Sequence, residues 1–182
     1  MTLIFSYLIA QFFIYPMKFK HLTLALGLLV TGLFISCEKE KNTATGSFSL
    51  KVNDTLYTVN KQLTATLHDT AQTGSFLVIS GLTAQNNMVT INVIFPDKQL
   101  KPGTYVLSND ALNSIAWSRH LYSDIYSADN IGKGASTVIK LESISETKAK
   151  GTFTGVIISD EDPSLEKTVT EGYFEVSVLT LK

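Results

Sequence analysis

From residue 46 onward, the chain alternates apolar and polar side chains with a period of two. The clearest case is the stretch 88–95, in which Val89, Ile91, Val93 and Phe95 share one face. This period is typical of half-buried strands, whereas a helix would repeat every 3.6 residues. The alternation recurs in short segments separated by turn residues, at 48–52, 55–59, 63–68, 75–80, 104–107, 115–121, 135–142, 152–158 and 169–179. The sequence therefore predicts an all-β domain.

The pattern also indicates how these strands pair. Each strand carries one polar face, which suits antiparallel sheets, because buried parallel strands read as continuous apolar runs. Asn53-Asp54 predicts a tight hairpin turn, since both residues tolerate left-handed backbone. The stretch 122–134 predicts a strand with a long, irregular loop. We expect a mostly antiparallel β-sandwich or flattened barrel of short strands, and the period alone does not separate the two.

The segment before this domain has the features of a secretory leader. Lys18 and Lys20 form a basic patch, residues 22–35 are apolar, and Ser36 is a small residue before Cys37. The apolar run of 14 residues is shorter than the roughly 20 that a spanning helix needs. The stretch that closes it resembles the lipobox of bacterial lipoproteins and reads Leu33-Phe34-Ile35-Ser36-Cys37. The resemblance implies that Cys37 takes a diacylglyceryl group, becomes the new N-terminus and, with acyl chains such as palmitate, anchors the protein in membrane lipid.

These features divide the chain into three parts. Residues 1–36 form the leader, in which 17–36 is a complete lipoprotein signal peptide. Residues 1–16 are then a start-site artefact or the first half of a bipartite leader, and the completeness of 17–36 favours the artefact. Residues 37–45 are the lipidated cysteine and a polar tether. Residues 46–182 form a single β-rich domain, whose size fits one domain.

The composition of the mature chain excludes some functions. Removal of Lys18 and Lys20 with the leader leaves 13 basic against 16 acidic residues, a net charge of −3. A nucleic-acid surface needs a basic field, so we expect no nucleic-acid partner. Cys37 is the only cysteine. Its acylation leaves none for a disulfide, so the domain depends on its core for stability.

Several short motifs occur in a recognisable order. They comprise an aromatic hairpin at 48–57, then Pro102-Gly103-Thr104-Tyr105, Ser136-Thr137-Val138-Ile139-Lys140-Leu141, Gly151-Thr152-Phe153-Thr154-Gly155 and Glu171-Gly172-Tyr173-Phe174. Together they resemble a family of uncharacterised Bacteroidota lipoproteins, over most of 46–178. The resemblance implies a β-rich domain in the cell envelope, and it supplies no functional residues.

In such lipoproteins a charged stretch after the cysteine directs export to the outer face of the outer membrane, and the tether 38–43 is similar to that signal. We therefore expect an outer-membrane lipoprotein, with the cell-surface face favoured over the periplasmic face.

The residues that could carry chemistry are few. His68 and His120 would need to be adjacent, with Asp69 or Asp124, to hold a metal, and their spacing does not indicate this. The acidic run 160–162 predicts a solvated hairpin tip rather than a calcium loop, because it lacks the alternating ligands and central glycine. We expect no catalytic residue, no metal site and no cofactor.

Aromatic residues are the better candidates for a binding surface. Trp117, Tyr122 and Tyr126 lie close in sequence, and aromatic side chains offer large contact area at low entropy cost. The alternation of Trp117 with Ile115 predicts that its side chain is buried. Tyr122 and Tyr126 remain candidate ligand-binding residues.

Three functions compete on these grounds. The favoured hypothesis is a lipid-anchored, non-catalytic envelope module that binds a protein or glycan. The alternative is a structural or accessory subunit of an envelope complex. A hydrolase ranks last, because it would need clustered acids or a nucleophile-base pair that the sequence does not show.

Overall fold

The computed structural model describes residues 44–70, 74–95, 97, 99–108, 111–121, 123–129 and 133–181. The leader, Cys37, the tether residues 38–43 and Tyr122 lie outside the described residues. The described chain contains twelve strands, which are β1 (Gly46–Val52), β2 (Thr55–Thr70), β3 (Gly74–Thr83), β4 (Met88–Phe95), β5 (Gly103–Ser108), β6 (Ala111–Leu112), β7 (Ser114–Arg119), β8 (Ser123–Ser127), β9 (Ser136–Ile144), β10 (Lys148–Ser159), β11 (Glu166–Ser177) and β12 (Leu179–Leu181).

Eight of these strands close into a barrel. The hydrogen-bonded order is β1, β2, β3, β4, β7, β8, β10 and β11, and β11 pairs again with β1. Each of these neighbouring pairs is antiparallel. The prediction of a mostly antiparallel all-β fold is confirmed. Of the two architectures left open by the alternation, the strand pairing gives the barrel.

The remaining strands extend this barrel. One edge of β10 is shared, because Ala149 to Val156 pair with β9 and only Ile158 and Ser159 pair with β8. Beyond β9 the sheet continues through β5 to β6. The segment 169–179, which the sequence predicted as one last strand, divides near Val178. The chain then forms β12, which runs parallel to β2.

The first hairpin shows how local sequence sets the path of the chain. Asn53 and Asp54 connect β1 to β2 with φ values of 45° and 65°, as the turn prediction required. The alternating segments 55–59 and 63–68 form one strand of 16 residues. The pairing of β2 with β3 shifts register between Val59 and Thr64, and Gln62 within this bulge has φ 50°. A bulge of this kind bends a strand without ending it.

The apolar face of each strand fills the interior. Phe48, Phe153 and Phe174 are at most 1% exposed, and the rings of Phe48 and Phe153 meet edge to face at 5.8 Å. Side chains fill an eight-stranded barrel, because its interior is only wide enough to hold them. Phe153 and Phe174, which belong to two of the motifs recognised in the sequence, are therefore core residues.

Four connections lie at the same end of the barrel. They are the turns β1–β2, β3–β4, β7–β8 and β10–β11, which alternate with returns at the opposite end because neighbouring strands are antiparallel. We call this the turn end. The interior residues nearest to it lie where a ligand could reach them from solvent.

Candidate functional site

A cavity of about 180 Å³ lies at the turn end. Its walls come from β2, β7, β8, β11 and the β3–β4 turn. Its lining residues are Tyr57, Asn87, Trp117, Arg119, Asp124, Tyr126 and Lys167. We call it the Trp117 cavity. It is smaller than the 300–1,000 Å³ of sites for drug-sized ligands, so it suits one group about the size of a six-membered ring.

Three aromatic rings meet at this cavity. Trp117 pairs directly with Tyr126 across β7 and β8, and their ring centroids are 5.9 Å apart. Tyr57 reaches Trp117 from β2, with 6.1 Å between centroids. Both tyrosine rings are inclined at 59° to the indole. The rings therefore form an angled apolar wall rather than a flat stack.

Trp117 forms the inner wall of the cavity. Its side chain follows Ile115 into the barrel and is only 5% exposed, which confirms the predicted burial. Its indole N–H has no hydrogen-bond partner among the residues that the structure describes. A buried donor without an acceptor lowers the stability of the fold, and a functional role often accounts for such a donor. Tyr57 and Tyr126 are half-buried.

Lys167 places a positive charge over this wall. Its Nζ lies 4.4 Å from the ring centroid of Tyr126 and 5.5 Å from that of Trp117. Attraction between a cation and the negative face of an aromatic ring holds an ammonium in this position. Within the described ranges, the ammonium of Lys167 has neither a carboxylate partner nor a hydrogen-bond acceptor, although it carries three donors. The charge is therefore positioned but unneutralised.

The other charged residues of the cavity form a loose pair. Arg119 and Asp124 lie 3.9 Å apart and are 61% and 54% exposed, so they are well solvated. The cavity thus has two cations and one carboxylate in its lining, with a formal surplus of one positive charge.

The turns around the cavity are tied to each other. In the β3–β4 turn, Asn87 accepts a hydrogen bond at Oδ1 from the His120 N–H, and the Asn86 carbonyl accepts one from Leu121. His120 and Leu121 adopt left-handed φ values of 51° and 50°. This conformation is uncommon outside glycine and costly for a bulky residue such as leucine. Backbone strain of this kind concentrates at binding sites.

Sequence reasoning found part of this site. Tyr126, one of the two candidate ligand-binding residues, lines the cavity, and Tyr122 lies outside the described residues. Tyr57 and Lys167 were missed, because they reach the cavity from strands far along the chain. The available signal was indirect: Tyr57 lies on the second arm of a hairpin whose turn was recognised, which places it near the end of the barrel.

The other candidate residues do not converge. His68 stacks on Phe76, with ring centroids 4.5 Å apart, and is half-buried. His120 lies in a turn and not in the strand expected for it. The acids at 160–162 lie at the β10–β11 turn and are exposed, as the predicted hairpin tip required, and Asp162 has a lowered pKa because Ser164 donates hydrogen bonds to it. Among the described residues, no group of three histidine, cysteine or acidic side chains could hold a metal.

Two further cavities have less distinctive linings. One, of about 260 Å³, lies where β1 begins, and its lining has no aromatic residue. The other, of about 240 Å³, contains Ser127, whose hydroxyl lies within hydrogen-bond distance of both Asp129 and Asp160. Neither combines rings with an unneutralised charge, so the Trp117 cavity is the strongest candidate site.

Comparison of the chain with protein-family models, curated proteins and solved structures gives no match. In the part of the chain that the structure describes, no helix is long and apolar enough to cross a bilayer.

Proposed function

We propose that this chain is a lipid-anchored envelope protein, without catalytic activity, whose barrel binds a glycan or protein ligand in the Trp117 cavity. The observation that carries the proposal is the meeting of Tyr57, Trp117 and Tyr126 beneath the ammonium of Lys167. Aromatic faces pack against apolar ligand surfaces, while the surrounding polar groups fix orientation. The small volume favours a glycan, because one sugar ring is the size of group that the cavity suits.

The binding test uses the single tryptophan of the chain as its reporter. The full-length protein, extracted in detergent, is titrated with polysaccharide and protein fractions of the cell envelope and medium while Trp117 emission is followed. We expect one fraction to produce a saturable change that is lost in a Tyr57→Ala, Tyr126→Ala double variant. A matched Tyr173→Ala variant, altered on the outer face of β11, should keep it. If no fraction changes the emission, the proposed binding function is wrong.

The anchor has its own test. Intact cells are treated with protease beside a Cys37→Ala strain, and the barrel domain is followed by immunoblot. Digestion of the domain on intact cells, with loss of cell association in the variant, supports a surface lipoprotein. Protection until the envelope is broken would overturn surface display and direct the ligand search to the periplasm.

A second candidate function is an accessory subunit of an envelope complex. Val106 on β5 and Val138 on β9 face each other and are 48% and 42% exposed. Contiguous exposed apolar surface often marks a protein contact. A photo-cross-linker at Val138 should then capture one dominant partner in cells, with Lys140 on the same strand as the control. Random neighbours at both positions would contradict this function.

A further inference from the structure

We propose that the ligand of the Trp117 cavity is an acidic sugar unit, one that carries a carboxylate or sulfate on its ring. This inference rests on the proposed binding function and names the ligand class for the same cavity. Its basis is the combination of an aromatic wall, an unneutralised ammonium and a lining rich in hydrogen-bond donors.

The first step concerns charge. The ammonium of Lys167 is held over Tyr126 and Trp117 and has no carboxylate partner among the described residues. An anionic group bound beside it would form a charge-assisted hydrogen bond, which is stronger than a neutral one. The nearby Asp124 is 3.9 Å from Arg119 and is already opposed by that guanidinium.

The second step concerns donors and acceptors. Lys167, Arg119, the tyrosine hydroxyls and the buried indole N–H of Trp117 can all donate. On the acceptor side, Oδ1 of Asn87 already receives the His120 N–H, and the Asp124 carboxylate lies beside the Arg119 guanidinium. The lining therefore offers more donors than free acceptors, which suits a ligand rich in acceptor oxygens.

The third step concerns shape. A bare inorganic anion would leave the three rings without a contact, whereas a purely apolar ligand would leave the ammonium unpaired. A charged pyranose satisfies both, because its C–H face packs on an aromatic ring while its acidic group reaches the cation. The volume of about 180 Å³ limits the buried part to about one sugar unit.

The test compares four probes on the full-length protein in detergent, with Trp117 emission as the readout: sodium glucuronate, glucose 6-sulfate, glucose and sodium acetate. We expect both acidic sugars to bind at least about tenfold more tightly than glucose, the effect of one charge-assisted hydrogen bond. Acetate should bind more weakly than either. The preference should fall as salt is raised, because screening weakens the pairing.

Variants assign the preference to its residue. Lys167→Met should abolish the preference for acidic sugars, and Lys167→Arg should retain it. Lys140→Met, which removes an exposed lysine on β9 outside the cavity, should leave it unchanged. Far-ultraviolet circular dichroism shows whether each variant is folded.

The outcomes separate this inference from the function beneath it. Equal binding of glucose and glucuronate, or a preference that survives in folded Lys167→Met, would overturn the acidic-sugar assignment while leaving glycan binding intact. Acetate binding as tightly as glucuronate would show an anion site and would also overturn it. If no sugar binds and no envelope polymer does so either, both proposals fail.

Discussion

Gly172 faces Phe153 across the β10–β11 pair, and the aromatic ring occupies the space that a side chain would need. A Cβ at this position would lie 2.5 Å from both the ring and the carbonyl oxygen of Phe153. We expect Gly172→Ala to lower the free energy of unfolding by about 1–3 kcal/mol, the usual cost of overpacking a core. Equilibrium unfolding in urea, followed by Trp117 fluorescence, measures the change.

Gly103 provides the matched control. It is the first residue of β5, and a Cβ there would meet only the Tyr105 ring, at 3.9 Å. Gly103→Ala should change stability by less than about 0.5 kcal/mol, as expected for an unconstrained surface site. Equal destabilisation by the two substitutions would show that backbone freedom, rather than the Phe153 contact, explains Gly172.

Tyr105 couples stability to alkaline pH. Its hydroxyl donates to the Lys101 carbonyl at 2.7 Å, and burial raises its pKa above the ordinary value of 10.0. The folded state therefore favours the protonated phenol. This contribution is complete below the ordinary pKa and is lost as pH rises through the raised folded pKa.

Tyr105→Phe isolates this effect. At neutral pH the variant should be less stable by about 1 kcal/mol, because the hydrogen bond is lost. The gap should narrow above about pH 10, as the phenol of the unvaried protein titrates. Urea unfolding midpoints of both proteins from pH 7 to 11 measure this difference in stability. Parallel curves would rule out the coupling, since other groups with raised pKa, such as Tyr173 and Lys150, are common to both proteins.

At the scale of elements, Asn113 joins two strands that share no backbone pairing in the described sheet. Its side chain, 3% exposed, accepts from the Ile94 N–H at 2.8 Å and donates to the Val106 carbonyl at 2.9 Å. Asn113→Ala would leave both backbone groups without this partner, and we expect a loss of about 1–3 kcal/mol. Urea unfolding measures the loss, and amide exchange at Ile94 should accelerate.

Asn92→Ala is the control for this prediction. Asn92 is half-buried on β4 and donates to the Ser114 hydroxyl at 3.0 Å, which can rotate to find another partner. Asn92→Ala should therefore lower the free energy of unfolding by less than Asn113→Ala does. If the two variants are equally stable, the link between β4 and β5 does not depend on Asn113.

Individual strands could be predicted from sequence because a period of two specifies which face is buried. For β4, the predicted face of Val89, Ile91, Val93 and Phe95 is the buried one. The period does not specify which strands pair with each other. The parallel addition of β12 to β2 and the division of one β10 edge between β8 and β9 depend on contacts between distant segments.

Only the part of the candidate site that lies on one hairpin could be predicted from the sequence. Trp117 and Tyr126 are cross-strand neighbours on consecutive strands, so their proximity follows from a local hairpin. Tyr57 and Lys167 belong to β2 and β11, and only closure of the barrel brings them to the indole. The closed ring was one of two architectures consistent with the alternation, and the identity of these partners depended on it.

At the scale of the whole molecule, the barrel closes through a short seam. β8 and β10 share two residue pairs, Ile158 with Ser127 and Ser159 with Tyr126, whereas β10 and β11 share ten. Local opening is easiest where few hydrogen bonds must break. We expect the Asp160 amide, which donates to Ile125 across the seam, to exchange with solvent faster than β10 amides paired with β11.

One side chain strengthens this seam, and its removal makes the prediction specific. The Ser127 hydroxyl on β8 lies 2.9 Å from the Asp160 carboxylate beyond β10 and 2.5 Å from that of Asp129, so Ser127→Ala should speed exchange at the seam by at most about tenfold. That factor corresponds to about 1.4 kcal/mol, near the lower end for a hydrogen bond to a charged group. Ser123→Ala, on the same strand but bonded to Arg119, should leave the seam unchanged. Hydrogen exchange by NMR measures each amide. Equal protection from exchange at β8 and β11 in the ligand-free protein would show that the seam is not the weak point. Because Tyr126 belongs to both the seam and the Trp117 cavity, a bound ligand should slow amide exchange at the seam.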